Sequence, residues 1–308
     1  MKQGICFLAV LCILITGGFG AAAQEKQIGL VAMLQGSNVR AEASADAAVI
    51  GKAEAGVYYG CFEAAEGWYR IKLPGGDMGY VSAKRCTFYS TVPAVEKDAL
   101  PLLGGDTALQ PGDLVTFGAY EQDNDRTNGY EPIQWIVLAR DEEAGRLLLL
   151  SRFALDRQHY HTSNSNATWE QSGLRKWLNG EFLQKAFTEE ERKAILVSEV
   201  AAHKNTIANV TAGKDTRDQV FLLSMDEVEQ YLTREDALCM PTAYAITRNA
   251  YYDMETGGCW WWLRTPGHNR MHTAYVNWLG EASAKGYGVI SNKGAVRPAL
   301  WVTYPAAE

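Results

Sequence analysis

A stretch rich in proline and glycine divides this chain of 308 residues into two unequal parts. The segment from Val92 to Gly112 contains three prolines and a Gly-Gly pair: Pro93, Pro101, Pro111, Gly104 and Gly105. Proline lacks a backbone N–H and glycine loses much entropy when it is ordered, so neither favours a continuous helix or strand here. The pattern predicts a linker over 93–112, a small domain over 24–92 and a larger domain over 113–308.

The first 23 residues predict a secretory signal peptide. Lys2 supplies a positive start, Ile5 to Ile15 is an uncharged apolar run, and Ala21-Ala22-Ala23 offers small residues for cleavage. An uncleaved membrane anchor is the alternative, but the run ends in glycines and small residues instead of the ~20 strongly apolar residues of a span. We expect a secreted mature chain without a membrane span.

The charge of the chain excludes one class of partner. The formal net charge is −7, from 29 basic and 36 acidic residues, and removal of Lys2 makes it −8. A protein that binds duplex nucleic acid needs a basic surface to neutralise phosphates, and an acidic chain binds anionic membranes poorly. We therefore expect no nucleic-acid partner.

The chain is also rich in aromatic residues. Its nine Trp and fifteen Tyr are enough to build a core and still leave rings for a binding surface.

Short strands separated by turns fill residues 28–90, which predicts a small closed barrel. The order Ser37-Asn38-Val39-Arg40, Val49-Ile50-Gly51, Gly56, Gly67-Trp68-Tyr69-Arg70-Ile71 and Gly79-Tyr80-Val81 resembles the bacterial SH3 domain. That resemblance implies a module that holds proteins at the cell wall. Trp68, Tyr69 and Tyr80 are the candidate peptidoglycan contacts, and a core position is the alternative for Trp68.

The larger domain predicts a mixture of strands and helices. The expected strands cover 114–117, 134–138, 146–151, 260–264, 273–276, 286–290 and 296–302. Three capping boxes predict helix starts, namely Thr168…Gln171, Thr188…Glu191 and Ser224…Glu227. Asn179-Gly180 is expected to end the first helix.

Several short sequence segments of the larger domain resemble, in the same order, those of a bacterial domain of unknown function, family 6273. They include Asn128 to Trp135, Leu174 to Asn179, Trp261 to Gly267 and Val296 to Leu300. The family has no assigned activity. The last phrase also makes the domain distantly similar to the C-type-lectin and sulfatase-modifying-factor fold. The expected fold class is α+β, a small all-β SH3-like barrel followed by a C-type-lectin-like mixed α+β domain.

The lectin-like resemblance implies that the first and last strands of the domain are adjacent, so Leu114–Phe117 should pair with Val296–Val302. Pro298 lacks a donor and should avoid a central ladder position. Residues 264–294 would then be looped out on one side, over Trp260-Trp261-Trp262, whose rings suit either a core or a sugar site. The candidate ligand residues there are Arg264, His268, Arg270, His272, Tyr275 and Trp278.

Four cysteines remain after signal cleavage removes Cys6 and Cys12. An even number in an exported chain favours disulfides, and four cysteines allow three pairings. We expect the close pairs Cys61–Cys86 and Cys239–Cys259. Four reduced, buried thiols are the alternative.

Two groups of residues have side chains that can bind metals, but their spacing in the sequence matches no metal-binding motif. His159 and His161 lie more than a hundred residues before His268 and His272, and no H-E-x-x-H motif is present. The run from Glu121 to Gly129 is rich in oxygen ligands but fails the EF-hand spacing. We interpret that run as a solvated turn, and expect no metal and no cofactor.

The sequence predicts a secreted, cell-wall-associated binding protein. Its partners would be peptidoglycan or a cell-wall glycan for the SH3 module, and a glycan or surface protein for the larger domain. A metal- or thiol-dependent extracellular enzyme, such as an oxidase or wall hydrolase, is the alternative, and a structural spacer is a third. No Ser-His-Asp or Gly-x-Ser-x-Gly arrangement stands out, so we expect no catalytic residues.

Overall fold

The computed structural model describes residues 25–91, 103 and 109–304. The predicted signal peptide, both of its cysteines and most of the predicted linker lie outside the described residues. Within the described ranges, no helix has the length and apolar character needed to cross a bilayer.

Residues 25–91 form the SH3-like module, which is built from seven strands and one 3₁₀ turn at Ala83–Arg85. The strands are β1 (Gly29–Met33), β2 (Ser37–Arg40), β3 (Val49–Ala53), β4 (Tyr58–Ala65), β5 (Trp68–Lys72), β6 (Met78–Ser82) and β7 (Cys86–Ser90). They pair antiparallel in the order β3-β2-β6-β5-β4-β1-β7. This sheet confirms the expected small all-β SH3-like unit.

Alternation along β5 decides which of its side chains are available to a ligand. Ile71 is fully buried and Tyr69 packs against the same core. Successive side chains of a strand point to opposite faces, so Trp68 and Arg70 face outward. The core on the inner side also contains Val31, Val39 and Val81, which are fully buried.

The larger domain is mixed α+β, as expected. Its strands are β8 (Leu114–Tyr120), β9 (Glu131–Asp141), β10 (Arg146–Ser151), β11 (Asp156–Arg157), β12 (Ser198–Val200), β13 (Thr216–Asp218), β14 (Val220–Phe221), β15 (Trp261–Pro266), β16 (His272–Val276), β17 (Ala282–Gly288), β18 (Ala295–Val296) and β19 (Ala299–Thr303). Its helices are α1 (Gly173–Trp177), α2 (Leu183–Ala186), α3 (Glu189–Ala194), α4 (Met225–Tyr231), α5 (Arg234–Ala237) and α6 (Ala243–Thr247). The sheets run β14-β19-β10-β9-β8, β11-β18-β15-β16-β17 and β12-β13.

The expected pairing of the first and last strands is wrong. β8 and β19 share a sheet, but β9 and β10 lie between them. Leu147 to Leu150 on β10 are all buried, as in a strand whose two faces are both covered, and β10 pairs with β9 on one side and β19 on the other. The strand order therefore gives no support to the lectin-like resemblance. Pro298 lies in the break between β18 and β19, which confirms that it avoids a ladder position.

Two of the three predicted capping boxes are present with both reciprocal bonds, at Thr188–Glu191 and Ser224–Glu227. The first is wrong, because Thr168 precedes only a 3₁₀ turn and makes no side-chain cap bond. Ser172 caps α1 instead, accepting from the Arg175 backbone N–H at 3.0 Å.

The helical segment also passes through Asn179-Gly180, where it was expected to end. A π-helical turn at Leu178–Phe182 leads into α2. The Asn179 amide donates to the carbonyls of Arg175 and Val220 at 3.1 and 2.8 Å. This side chain therefore joins the helix to β14 instead of ending it.

The three consecutive tryptophans belong to the core. Trp261 and Trp262 are fully buried and Trp260 is 3% exposed. The indole N–H of Trp261 donates to the carbonyl of Ala237 at 3.0 Å, and that of Trp262 donates to the carbonyl of Gln158 at 2.9 Å. Of the two interpretations of this run, the structure supports the core.

Close packing against Trp262 generates a test of this core. A Cβ at Gly294 would overlap Nε1 and Cε2 of the Trp262 indole. We expect Gly294→Ala to lower the free energy of unfolding by about 2 kcal/mol, because overpacking forces side chains from their rotamers. Gly180→Ala is the control, since a Cβ there meets nothing within 4 Å. Denaturant unfolding should show a lower midpoint for the first variant only, and equal midpoints would contradict the packing.

Candidate functional site

A groove on the SH3-like module has Trp68 in its wall. We call it the Trp68 groove, with a volume of about 900 Å³ and a lining drawn from the turn before β2, the end of β3 and the segment 82–85. Trp68 is half-buried and faces outward because its neighbours Tyr69 and Ile71 face the core. A ring held in this way offers a flat apolar surface with a polar edge.

The Trp68 groove is basic although the chain is acidic. Its charged lining residues are Arg40, Lys52, Glu54, Lys84 and Arg85, four cations and one carboxylate. Lys52 and Lys84 are exposed, and within the described residues neither makes an ion pair. These two ammonium groups are therefore available to an acidic ligand.

The other two candidates on this module occupy different surroundings. The Tyr69 ring stacks on Phe88, with centroids 5.1 Å apart and an angle of 11°, and packs against the core. Tyr69 is half-buried on the inner face of β5, and its role as a ligand platform stays a prediction. The Tyr80 hydroxyl donates to a carboxylate oxygen of Glu63 at 2.9 Å on the outer surface.

Arg264 is corrected from a ligand residue to a structural one. It is 3% exposed, and its guanidinium forms a two-point ion pair with Glu227, with Nη2–Oε1 at 2.7 Å. It also donates to the carbonyl of Leu222 at 2.8 Å. Since Glu227 is the third residue of α4 and closes the Ser224 capping box, this arginine connects β15 to the start of α4.

The loop between β15 and β16 carries the other candidate polar groups. The rings of His268 and His272 lie 4.1 Å apart, and burial, with His268 nearby, lowers the pKa of His272. The Arg270 guanidinium is exposed and donates to the hydroxyl of Thr211. His159 contacts the carbonyl of Ile290 at 2.8 Å through Nδ1.

The two aromatic candidates after this loop contact different rings. Tyr275 packs edge-on against Trp260, with centroids 5.5 Å apart, whereas Trp278 lies 4.9 Å from Tyr251. Tyr287, which is 48% exposed, stacks over Trp260 at 4.8 Å. Tyr275 and Tyr287 thus cover the edge of the tryptophan core, and their role in ligand binding stays a prediction.

The two domains meet at an interface with an apolar centre. Leu30 of β1 is fully buried and clusters with Ala243 and Ile246 of α6. Around this centre, Tyr89 and Tyr252 pack edge to face with centroids 5.2 Å apart. The SH3-like module is therefore packed on the larger domain.

Two polar contacts of the interface come from one loop of the larger domain. The Gln27 side-chain amide donates to the carbonyl of Asp123 at 2.9 Å. Lys72 Nζ lies 2.6 Å from Asp125 Oδ2. Both acceptors belong to the loop between β8 and β9, so this loop is held by the SH3-like module.

Three carboxylates at the base of the same loop form what we call the acidic cluster. One oxygen from each of Glu121, Asp123 and Glu131 lies within 4.8 Å of the other two. These three carboxylates are the group of possible metal ligands among the described residues, and none of the five histidines belongs to it. The predicted solvated turn over Glu121 to Gly129 is thus wrong at its base, because Glu121 is 5% and Gln122 is 8% exposed.

The two glutamates of the acidic cluster are held differently. Both carboxylate oxygens of Glu121 are buried without a hydrogen-bond partner in the described residues. Glu131 Oε2 accepts from the backbone N–H of Gln122 at 2.7 Å and of Asp123 at 3.3 Å. Burial, with the charge of Asp123 nearby, raises the pKa of each glutamate to about 7.

All four described cysteines are free thiols in the structure. Cys61 and Cys86 lie on either side of β1, opposite Gly29 and Met33. Their Cα atoms are separated by two strand spacings of ~4.8 Å and by an offset of four residues at ~3.4 Å each along β1, which exceeds the ~7 Å Cα limit of a disulfide. That predicted pair is therefore wrong, and burial raises the pKa of the two thiols to about 12 and about 11.

Cys239 and Cys259 are direct neighbours instead. They form an antiparallel bridge, in which the Cys259 backbone N–H donates to the carbonyl of Cys239 at 2.8 Å. Opposed residues of this kind have Cα atoms ~5.5 Å apart, inside the disulfide range. The predicted disulfide between these two cysteines stays a prediction.

Comparison with protein families gives two matches. Residues 144–304 match the family described as Domain of unknown function (DUF6273), and residues 35–85 match the family described as Bacterial SH3 domain. They confirm both expected families and their order. No curated protein matches the chain.

The acidic cluster generates a pH prediction. A carboxyl whose folded pKa is raised from 4.5 to about 7 stabilises the fold below pH 4.5, and that stabilisation is lost as the pH rises through 7. With a chelator present, we expect the free energy of unfolding to fall by on the order of 2 kcal/mol between pH 5 and pH 8.

Urea denaturation of two variants locates this effect. Glu121→Gln cannot ionise and should make the pH profile shallower, while Glu131 keeps a raised pKa through burial and Asp123 and accounts for the slope that remains. Glu229→Gln, at an exposed position of α4, should leave the profile unchanged. A wild-type profile that is flat or rises toward pH 8 would contradict the assignment.

Proposed function

The chain belongs to the DUF6273 family of domains of unknown function and carries a bacterial SH3 domain ahead of that region, and from this combination we propose that it is a secreted, cell-wall-associated binding protein. The SH3-like module contacts peptidoglycan, and the DUF6273 domain presents a surface to a glycan or protein. The predicted signal peptide supports the secreted location. We propose a binding protein and not an enzyme.

The Trp68 groove is the observation that carries this proposal. Peptidoglycan combines sugar rings, whose C–H faces pack on indole, with peptide carboxylates. Trp68 supplies the ring surface, and Lys52 and Lys84 supply exposed cations in the same groove. An acidic, sugar-containing polymer matches both features.

No ligand is assigned to residues 264–278 of the larger domain. Their expected display as a binding surface depended on pairing of the first and last strands, and β9 and β10 separate those strands. Arg264, one of the named ligand residues, forms an ion pair with Glu227 and is not free to bind a ligand.

Co-sedimentation with insoluble peptidoglycan tests the module. We expect Trp68→Ala, in the full-length chain, to weaken retention at least tenfold, which corresponds to ~1.4 kcal/mol. The double variant Lys52→Glu/Lys84→Glu should weaken it as strongly and make the remainder insensitive to salt.

The matched control is Lys285→Glu/Lys293→Glu, which changes the net charge equally at exposed sites of the larger domain. Its retention should equal that of the wild type. Wild-type retention by both groove variants would reject the groove, and release of soluble sugar or peptide fragments would support the wall-hydrolase alternative.

We also propose that export leads to one disulfide, Cys239–Cys259. The two thiols are opposed on neighbouring backbone segments, and secreted proteins mature in an oxidising compartment. After refolding with oxidised glutathione, non-reducing peptide mapping should find these two cysteines linked. Cys61 and Cys86 should react with an alkylating reagent only after unfolding, since both are buried. A linked Cys61–Cys86 peptide would contradict the register of β4, β1 and β7.

A further inference from the structure

We propose that Glu121, Asp123 and Glu131 bind a calcium ion next to the interface between the SH3-like module and the larger domain. The three side chains contribute oxygens that lie within 4.8 Å of one another. This spacing is close to the span that one calcium bridges when it contacts several oxygens at 2.3–2.6 Å. The site is independent of the Trp68 groove.

The strongest sign of a missing ligand is Glu121. It is 5% exposed, and neither of its carboxylate oxygens has a hydrogen-bond partner in the described residues. A buried carboxylate without a partner costs far more free energy than a paired one. The side chain nevertheless points at two further carboxylates, an arrangement that a cation between them would explain.

Protein cations do not neutralise the acidic cluster. Within the described residues, none of its three members forms an ion pair. The nearby Lys72 is already 2.6 Å from Asp125, and Arg126 is exposed on the loop. Arg126 acts on Glu121 only at longer range, where its charge lowers the pKa of that carboxyl, so up to three negative charges meet without an ion-pair partner among the described residues.

Backbone and side-chain donors hold the remaining carboxylates in place. Asp123 Oδ1 accepts from the Asp125 backbone N–H at 2.7 Å, and Asp123 Oδ2 accepts from the Asn128 amide at 2.7 Å. Glu131 Oε2 is held by two backbone N–H groups. Outer contacts of this kind orient metal ligands before the ion arrives.

The donor set selects calcium among common ions. All three side chains offer oxygen, and the cluster contains no histidine or cysteine, which disfavours zinc and copper. Magnesium demands near-ideal octahedral geometry and keeps most of its water, whereas calcium accepts six to eight oxygens in a flexible arrangement. Water and backbone carbonyls would complete the shell.

The position of the site links ion binding to the domain interface. The carbonyl of Gln122 accepts from the Tyr244 backbone N–H at 2.9 Å, and Thr247 donates to the side-chain oxygen of Asn124 at 3.0 Å. These contacts join the loop to α6, the helix that packs on Leu30. A bound ion would therefore order the loop and stabilise the packing of the SH3-like module.

Calorimetric titration of the chelator-treated, full-length chain tests the site. We expect one calcium per chain with a Kd between ~100 µM and ~1 mM, the range of extracellular calcium-binding modules. Binding should raise the melting temperature, because an ion that binds only the folded state stabilises it. Magnesium should bind at least tenfold more weakly.

Glu121→Gln and Glu131→Gln should each weaken calcium binding at least tenfold. The control Asp253→Asn alters another acidic loop, where Asp253 accepts from Thr256, and should bind calcium as the wild type does. Circular dichroism establishes that each variant is folded. A second readout is hydrogen exchange, in which calcium should slow the amides of β1 and α6 in the wild type and in Asp253→Asn only.

Three results would overturn the proposal. The first is no heat and no thermal shift at 10 mM calcium with folded wild-type protein. The second is wild-type affinity in Glu121→Gln. The third is tighter binding of magnesium or zinc than of calcium.

Discussion

The buried guanidinium of Arg297 joins the two large sheets of the DUF6273 domain. Arg297 is 1% exposed and lies in the break where the chain passes from β18, in one sheet, to β19, in the other. Its Nε donates to the carbonyl of Ser151 at 2.9 Å and its Nη1 to that of Asp236 at 2.9 Å. A charge buried this deeply is tolerated only when its donors are satisfied, so the turn of α5 and the end of β10 must lie where these carbonyls do.

The same residue positions the tryptophan core. The guanidinium lies 5.0 Å from the centroid of the Trp261 ring, and Trp261 donates to Ala237, the last residue of α5. Arg297, Trp261 and the end of α5 thus hold one another in place. The strands that flank Arg297 and the strand that carries Trp261 are positioned by the same contacts. This explains why Val296-Arg297-Pro298 is informative as a sequence phrase: arginine supplies the contacts across the break, and proline stands where no ladder N–H is needed.

Charge is distributed unevenly over the molecule, and the two proposed binding sites use opposite signs. The Trp68 groove gathers four cations around one glutamate, although the whole chain carries a net charge of −7. The acidic cluster places three carboxylates beside the interface. A wall polymer and a calcium ion would therefore bind at separate places, one on the outer face of the SH3-like module and the other where that module meets its neighbour.

Local sequence signals determined the two families, their order, most strands and two capping boxes. Ser224–Glu227 was predictable because its bonds span three residues, and the strands of the SH3-like module were predictable because alternation and turn residues are local signals as well. Only the tertiary structure decided that β9 and β10 separate β8 from β19, that Arg264 is occupied by Glu227, and that Glu121 is buried beside Glu131. Tyr120 and Glu131 pair across the β8–β9 hairpin, and α6 contacts that loop from more than a hundred residues away. Such choices depend on which distant surfaces exclude water together, and no short window of sequence contains both surfaces.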